Sequence, residues 1–473
     1  MRTECNAVQL SFPGLARRKV IADFEGGLIT SDAGGLLLRE VSEGTRLLRR
    51  LAACFDDYRD ADQIEHTVES LVAQRVYGIA LGYEDLNDHE DLRRDRLMAV
   101  LVGKADPTGA DRVRERDRGA PLAGKSTLNR LELTPSDADA KSQYKKVVYR
   151  GEAIDHLMVE VFLESEGSAP AEIILDLDAT EDPLHGKQEG RFFHGYYGGY
   201  CYLPLYIFCG EHLLCARLRS SDIDASAGSE EELERIVGQI RERWREVRIV
   251  VRGDSGFARE SIMSWCEANG VDYVFGLARN ARLTRGIARQ LERVRRRYLK
   301  TKTGCREYRD FRYRTLNSWS RTRRVIGKAE HLEKGANPRF VVTSLSKRAS
   351  GARALYEDLY CARGEMENRI KEQQLGLFAD RTSTATLRAN QLRLWFSSMA
   401  YILMTELRRV GLKGTEMAHA QCSTIRTKLF KIGALVSVSV RRVWLSCASG
   451  YPYRAIFVQA LKNLQAAYRP LHC

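Results

Sequence analysis

Asp178, Asp254 and Glu367 are the side chains of this sequence whose types and settings could do chemistry together. Asp178 closes the apolar, β-branched run "EIILDLDAT" and Asp254 ends "RIVVRGDSGF". Each is therefore expected at the carboxyl end of a buried strand, where open α/β sheets gather ligands and catalytic groups. Glu367 lies in "LYCARGEMENRIKEQQ", which reads as a helix. Counted at 3.6 residues per turn, Tyr360, Arg363, Glu367 and Lys371 share an arc of roughly 80°. Leu355, Leu359, Met366 and Ile370 form the adjoining apolar stripe that packs inward. Glu365 and Glu372 point elsewhere around the helix. Burying several carboxylates together is costly unless cations neutralise them. Hard oxygen donors suit Mg²⁺ or Mn²⁺ rather than zinc, and two such ions about 4 Å apart stabilise the attacking and leaving oxygens of a phosphodiester displacement. Taken singly, each acid reads more readily as a strand-end turn or a helix-surface charge. Their order and framing favour a shared site.

The elements that must position these acids follow from pattern. After Glu172 come strands in "GRFFHGYYGGYCYLPLYIFCG" and "HLLCARLRS", then an amphipathic helix, "SEEELERIVGQIRERWREV", with acids in its first turn. The strand ending at Asp254, the helix "ARESIMSWCEANGV" and the strand "DYVFGLA" complete a β-β-β-α-β-α-β order. "REYRDFRYRTL" and "RRVIGKAEHL" read as exposed strands, and "PRFVVTSL" as a buried one before the Glu367 helix. Towards the ends, Ser31-Asp32 is placed to cap a helix running through Val41. "ATLRANQLRLWFSSMAYILMTELRRVGL", "TIRTKLFKIGALVSV" and "YRAIFVQALKNLQAAY" are expected to be helices.

Composition narrows the class. With 473 residues, 44% hydrophobic and 29% charged, the chain is expected to hold several domains of a soluble globular protein. Its net charge of +13 favours a polyanionic partner. The excess is local: residues 281–330 hold 17 Lys or Arg against 4 Asp or Glu, and residues 421–473 hold 8 against none. Phosphate neutralisation fits both patches, as does a merely solvated surface. The 11 cysteines form no C-x-x-C pair, so no zinc ribbon or redox motif is offered, and Cys201, Cys209 and Cys215 read as small core residues. Gly124-Lys125-Ser126 lacks the upstream glycine of a phosphate-cradling loop. No apolar run long enough to cross a membrane and no leader-like segment is seen, so a cytoplasmic protein with reduced thiols is expected.

The segments "DLDATEDPLHGKQEGRFFHGYYGGYCYLPLY", "VRGDSGFA" and "LYCARGEMENRIKEQQ" resemble those of the DDE transposases of bacterial insertion sequences, most closely the insertion-sequence-1380 family. The likeness is strong over residues 172–388 and looser beyond. It implies an α/β fold: a ribonuclease-H-like mixed sheet flanked by helices, interrupted by a mostly β insertion, with helical N- and C-terminal regions. The implied division is a DNA-end-binding region at 1–150, the core at 151–280 and 338–380, a basic insertion at 281–337 and a helical basic region at 381–473. It further implies metal-dependent cleavage at element ends and transfer of the 3′-hydroxyl into target DNA. Asp178, Asp254 and Glu367 would hold two Mg²⁺ or Mn²⁺ ions, and the partners would be double-stranded DNA (terminal inverted repeats and target) and a second copy of the chain. Tyr360 and Arg363 occupy the family's Tyr-x2-Arg-x3-Glu-x6-Lys motif and would hold DNA phosphate. That motif's lysine is Gln374 here, and Lys371 is a substitute on the same face. In the insertion, Arg293, Arg295, Arg296, Arg297, Arg321, Arg323 and Arg324 are expected to contact DNA. Asp176 shares a strand face with Asp178 and is expected to support rather than ligate. Asp182 is expected to be exposed in the next turn, and His185 and His194 to flank either a DNA-facing loop or a packed hairpin. A nuclease that cuts without joining, and a DNA-binding protein without catalysis, are the rival readings.

Overall fold

The computed structural model describes residues 9–468. Period-two alternation builds its central sheet. In β1 (Glu172–Ala179), Ile173, Leu175 and Leu177 enter one apolar cluster, while Ile174 joins another on the opposite face. The same division recurs in β4 (Arg248–Gly253), with Ile249 and Val251 against Val250, and in β5 (Asp272–Leu277), with Tyr273 and Phe275 against Val274. On the first face pack helices α1 (Gly151–Glu166), α2 (Ser229–Arg243) and α3 (Glu260–Ala268), through residues such as Phe162, Ile236 and Met263. On the second face, Leu355, Tyr356, Leu359 and Tyr360 of the acid-bearing helical segment complete the smaller cluster.

With β2 (Leu205–Cys209) and β3 (His212–Arg217), the first five strands lie in the order β3-β2-β1-β4-β5. β2 is antiparallel to β1 and β3, whereas β4 and β5 run parallel to β1. This mixed α/β arrangement is the ribonuclease-H-like one that the resemblance implies. The sheet then continues through β6 (Cys305–Tyr313), β7 (Arg323–Leu332), the short β8 (Gly335–Ala336) and β9 (Arg339–Thr343), in the order β5-β9-β7-β6 with β8 on β7. The basic insertion thus extends the central sheet. It opens with helices Ala281–Gly286 and α4 (Ala288–Thr301) before its hairpin, so its first third is helical where mostly β was expected. The pattern explains this: Leu283, Ile287 and Val294 are buried at helical spacing.

By compactness, one unit comprises Ala53–Asp57 and Glu132–Thr405, and contains the sheet. The other gathers Met1–Ala52, Tyr58–Leu131 and Glu406–Cys473. In this second unit the helix Val68–Leu81 is capped by Thr67, whose hydroxyl accepts from the Ser70 amide at 3.1 Å. Asp32 does not cap Leu36–Thr45; its carboxylate accepts from Lys431 Nζ at 2.6 Å and the Tyr83 hydroxyl at 2.7 Å. The stretch read as one helix over Thr424–Val438 divides. Helical turns end at Phe430, and beyond Gly433 the β-branched run Ala434–Val438 is a strand paired with Val443–Cys447. Helix Arg454–Tyr468 matches expectation, and Arg469 of the basic C-terminal count lies outside the described residues. No helix among the described residues is long and apolar enough to cross a membrane.

Candidate active site

Strand register brings the two aspartates together. β4 pairs with β1 so that Gly253 lies beside Leu177, and the next residue of each strand is Asp254 and Asp178. Neighbouring strands run about 4.8 Å apart, so the two carboxylates emerge side by side at the carboxyl ends. Asp254 is held by an Asx turn, accepting from the Gly256 amide at 2.7 Å, and Asp178 accepts from the Ala179 amide at 3.0 Å.

The third acid arrives on an irregular helix. Leu355–Tyr360 forms π turns, Cys361–Arg363 a tight 3₁₀ turn, and only Gly364–Lys371 is regular α-helix. Arg252, on the second face of β4, fixes this segment to the sheet. Its guanidinium grips both oxygens of Asp176, with Nη2 at 2.7 Å from Oδ2, and Nη1 donates to the Leu359 carbonyl. Asp176 is thus committed to Arg252 and orients the helix. The signal for it was an arginine inside an otherwise apolar strand, "RIVVRGD".

Asp178, Asp254, Glu367, Arg363, Lys371 and Gln374 line one cavity of about 430 Å³. Arg363 lies between the acids: Nη2 donates to Glu367 Oε1 at 3.2 Å, and Nη1 stands 3.6 Å from Asp178 Oδ2. That Nη1 is buried yet has no hydrogen-bond partner. Burial pushes the Asp178 carboxyl up to about 6; Arg363 opposes this, and the neighbouring Asp254 and Glu367 charges reinforce it. The arginine is the counter-ion of a cluster that would otherwise repel itself.

Tyr360 does not line the cavity; its ring packs with Tyr356 at 5.5 Å on the apolar cluster of the second face. Its hydroxyl sits over Gly276 of β5, where a Cβ would come within 2.6 Å of it and 3.0 Å of the Ser255 amide. Only glycine fits there. Gln374 donates from Nε2 to Asp182 Oδ1 at 2.8 Å and to the Glu181 carbonyl at 3.1 Å. Asp182 is fully buried rather than exposed, because the short strand Asp182–Pro183 tucks it beneath the pairing partner Tyr202. Burial raises its carboxyl to about 8. His194 lines the cavity, while His185 is exposed away from it.

The basic residues divide. Arg295, Arg296 and Arg297 are more than half exposed on α4, in surface pairs with Glu292 and Glu307. Arg293 and Arg321 are similarly exposed. Arg323 and Arg324 are not available to DNA. Arg323 is 3% exposed and locked between Glu260 and Glu267, and Arg324 is held by Asp310 and the Leu345 carbonyl. Alternation along β7 turns both inward or beneath neighbouring loops, which a count of arginines does not register.

The model of the transposase DDE domain group 1 family matches residues 12–469. The chain belongs to this family. No curated protein gives a match. Among solved structures, a piggyBac transposase synaptic complex with hairpin DNA is similar over 85% of this chain and 79% of that chain, at 10% identity and a TM-score of 0.38. DDE transposases generally use divalent metal ions. In this transposase the donor chemistry fits such ions, because three carboxylates converge on one cavity and already require a cation. As placed, no group of three or more His, Cys, Asp or Glu among the described residues is gathered to hold a metal. Arg363 occupies the space between them.

Proposed function

We propose that this transposase cuts DNA at the ends of its own element and joins the released 3′-hydroxyl to target DNA, with Asp178, Asp254 and Glu367 as the metal-holding acids. The convergence of these acids, from three distant segments, on one polar cavity carries the reading. Bound there, Mg²⁺ or Mn²⁺ supplies Lewis-acid stabilisation of the attacking and leaving oxygens. The chain's own part is to position and to compensate charge. Arg363 leaves the carboxylates and offers its fork to the scissile phosphate, with Lys371 beside it. In the first step a water oxygen bonds to the scissile phosphorus as the bond to the 3′-oxygen breaks; that oxygen takes a proton and leaves as a hydroxyl. In the second, the hydroxyl bonds to a target phosphorus and displaces the target's own 3′-oxygen in line, so one phosphodiester bond forms for each one broken.

The motifs fit the insertion-sequence-1380 branch of the family. Arg295, Arg296 and Arg297 on α4 contact DNA beside the core, the region before residue 150 reads the terminal repeats, and the acid-poor C-terminal region assists. Two ends must be held in one assembly, so a homodimer forms on DNA.

The test is Mg²⁺- or Mn²⁺-dependent cleavage and strand transfer on DNA carrying the gene's flanking repeats, with wild type beside Glu367→Gln and Glu365→Gln. Cleavage and joining lost only in Glu367→Gln support the proposal. Cleavage without joining assigns a nuclease. End binding with no cutting, under varied metal conditions, removes the three-acid reading.

A further inference from the structure

Among the described residues, the strands Leu10–Leu15 and Arg18–Ala22 pair only with each other, and every residue of both is exposed. A two-stranded ribbon standing alone is marginal in water. Register sorts its side chains. Leu10 stands opposite Ala22 and Phe12 opposite Val20, so these four share one face, while Ser11 and Ile21 take the other. The first face is apolar and uncovered, with Phe12 53% exposed.

A second bare face lies in the same compact unit. Ile29–Thr30, Ala434–Val438 and Val443–Cys447 form a three-stranded sheet whose inner face, through Ala434 and Leu445, packs with Tyr451 and Phe457. On its outer face Ile29 pairs with Leu435, and Trp444, opposite Ser437, lies on the same side. Trp444 is 61% exposed, and Phe24 and Leu28, on the connection from the ribbon, are bare as well.

Two uncovered apolar sheet faces fit each other, because sheets stack about 10 Å apart by interdigitating such residues. Within one chain they do not meet, since the ribbon is exposed throughout. Two copies related by a two-fold axis close both faces at once, each ribbon lying on the other copy's sheet. Eight large side chains per copy are involved, counting Phe24 and Leu28. A fully buried one removes roughly 60–120 Å² from water, so the pair, covering what is now exposed, buries on the order of 1,000 Å², the area a specific interface needs. Charge agrees. The ribbon's tip carries Arg17, Arg18 and Lys19, whereas residues 84–91 hold five acids and no Lys or Arg. That acidic run begins beside Tyr83, whose hydroxyl donates to Asp32 at 2.7 Å, just past the sheet's first strand. Acids so placed attract a basic ribbon and repel a nucleic acid.

We propose that this chain pairs with a second copy of itself before any DNA is bound, by reciprocal exchange of the ribbon of residues 10–22 onto the sheet face of Ile29, Leu435 and Trp444. The pairing uses neither the three acids nor a metal, so it goes beyond the cutting reaction and is tested apart from it.

Sedimentation velocity of the full-length chain without DNA, over a range of concentrations, should show a reversible equilibrium between one chain and two. Phe12→Ser/Val20→Thr in the ribbon and Leu435→Thr/Trp444→Ser in the sheet should each weaken association at least about a hundredfold. Circular dichroism should not change, because these side chains are exposed within one chain. Mixing the two variants should restore a dimer weaker than wild type, since a mixed pair keeps one intact ribbon on one intact sheet. Benzoylphenylalanine in place of Phe12 should, on irradiation, join residues 435–446 of another copy; mixing heavy-isotope-labelled with unlabelled chains tells that product from a bond within one chain. Glu367→Gln should associate as wild type does. A dimer seen only with element ends present, association unchanged in either double variant, no dimer in the mixture, or cross-linking within one chain would overturn the proposal. Loss of end binding by the ribbon variant with association intact would overturn it too, and assign the ribbon to DNA.

Discussion

Raising the pH should cost this protein stability through one carboxyl group, that of Asp182. Its folded-state value is about 8 against an ordinary 3.8, because burial disfavours the charged form. Between those values the folded state keeps a proton that the unfolded chain releases. Stability attributable to this group is therefore complete below the ordinary value, falls as pH rises, and levels off above about 8. The slope is at most about 1.4 kcal/mol per pH unit, so a change from pH 5.5 to 7.5 costs up to about 3 kcal/mol. Asp182 is 0% exposed, so solvent does not screen the effect. Two substitutions test it from opposite sides. Asp182→Asn keeps the acceptor for Gln374 and removes the proton; Gln374→Lys supplies a cation that lowers the carboxyl's pKa. Urea unfolding followed by tryptophan fluorescence at pH 5.5, 6.5, 7.5 and 8.5 should show wild type losing stability relative to both variants as pH rises. Asp155, raised to about 6 by burial, contributes a background slope common to all three proteins. Parallel pH profiles for wild type and Asp182→Asn would refute the reasoning.

Arg323→Ala should destabilise by about 3–5 kcal/mol, because Glu260 and Glu267 lose the cation between them. The folded fraction should bind element ends as wild type does, measured by gel shift after correction for unfolded protein. Gly276→Ala should push the Tyr360 hydroxyl aside and reduce cleavage at least tenfold with little loss of end binding, measured as a rate on a pre-bound complex. Arg252→Lys cannot span Asp176 and the Leu359 carbonyl together, so cleavage should fall while far-ultraviolet circular dichroism stays the same. Equal cleavage by Arg252→Lys and wild type would show that the helix needs no such tie.

The first five strands were legible because β1, β4 and β5 are short β-branched runs whose alternate residues feed two apolar clusters, and because both aspartates stand just where the runs stop. Glu367 was legible through the regular turn that contains it. The contacts of Tyr360 were not, since spacing does not register that its ring packs with Tyr356 and its hydroxyl lies over Gly276. Arg323 and Arg324 misled because a charge count treats every arginine as solvated, whereas carboxylates of helix α3 and of the neighbouring strand had claimed these two. Asp182 misled for the reverse reason: Asp-Pro after a strand reads as an open turn, and only the distant pairing with Tyr202 closes it. The helical opening of the insertion was present in the spacing of Leu283, Ile287 and Val294 but was masked by their arginine neighbours.

The insertion leaves the sheet after Leu277 of β5 and returns at Arg339 of β9, and the register places Leu277 opposite Phe340. Its two ends are therefore neighbours, and residues added at the tips of its turns lengthen the path between them without moving Leu277 or Phe340. Lengthening such a path costs only loop-closure entropy that grows with the logarithm of its size. The interval between the second acid and the third is thus free to drift, while the interval from Arg363 to Glu367, set by one helical turn, is not. A fixed distance between Asp254 and Glu367 is therefore a weaker signature of this site than the turn carrying Arg363 and Glu367.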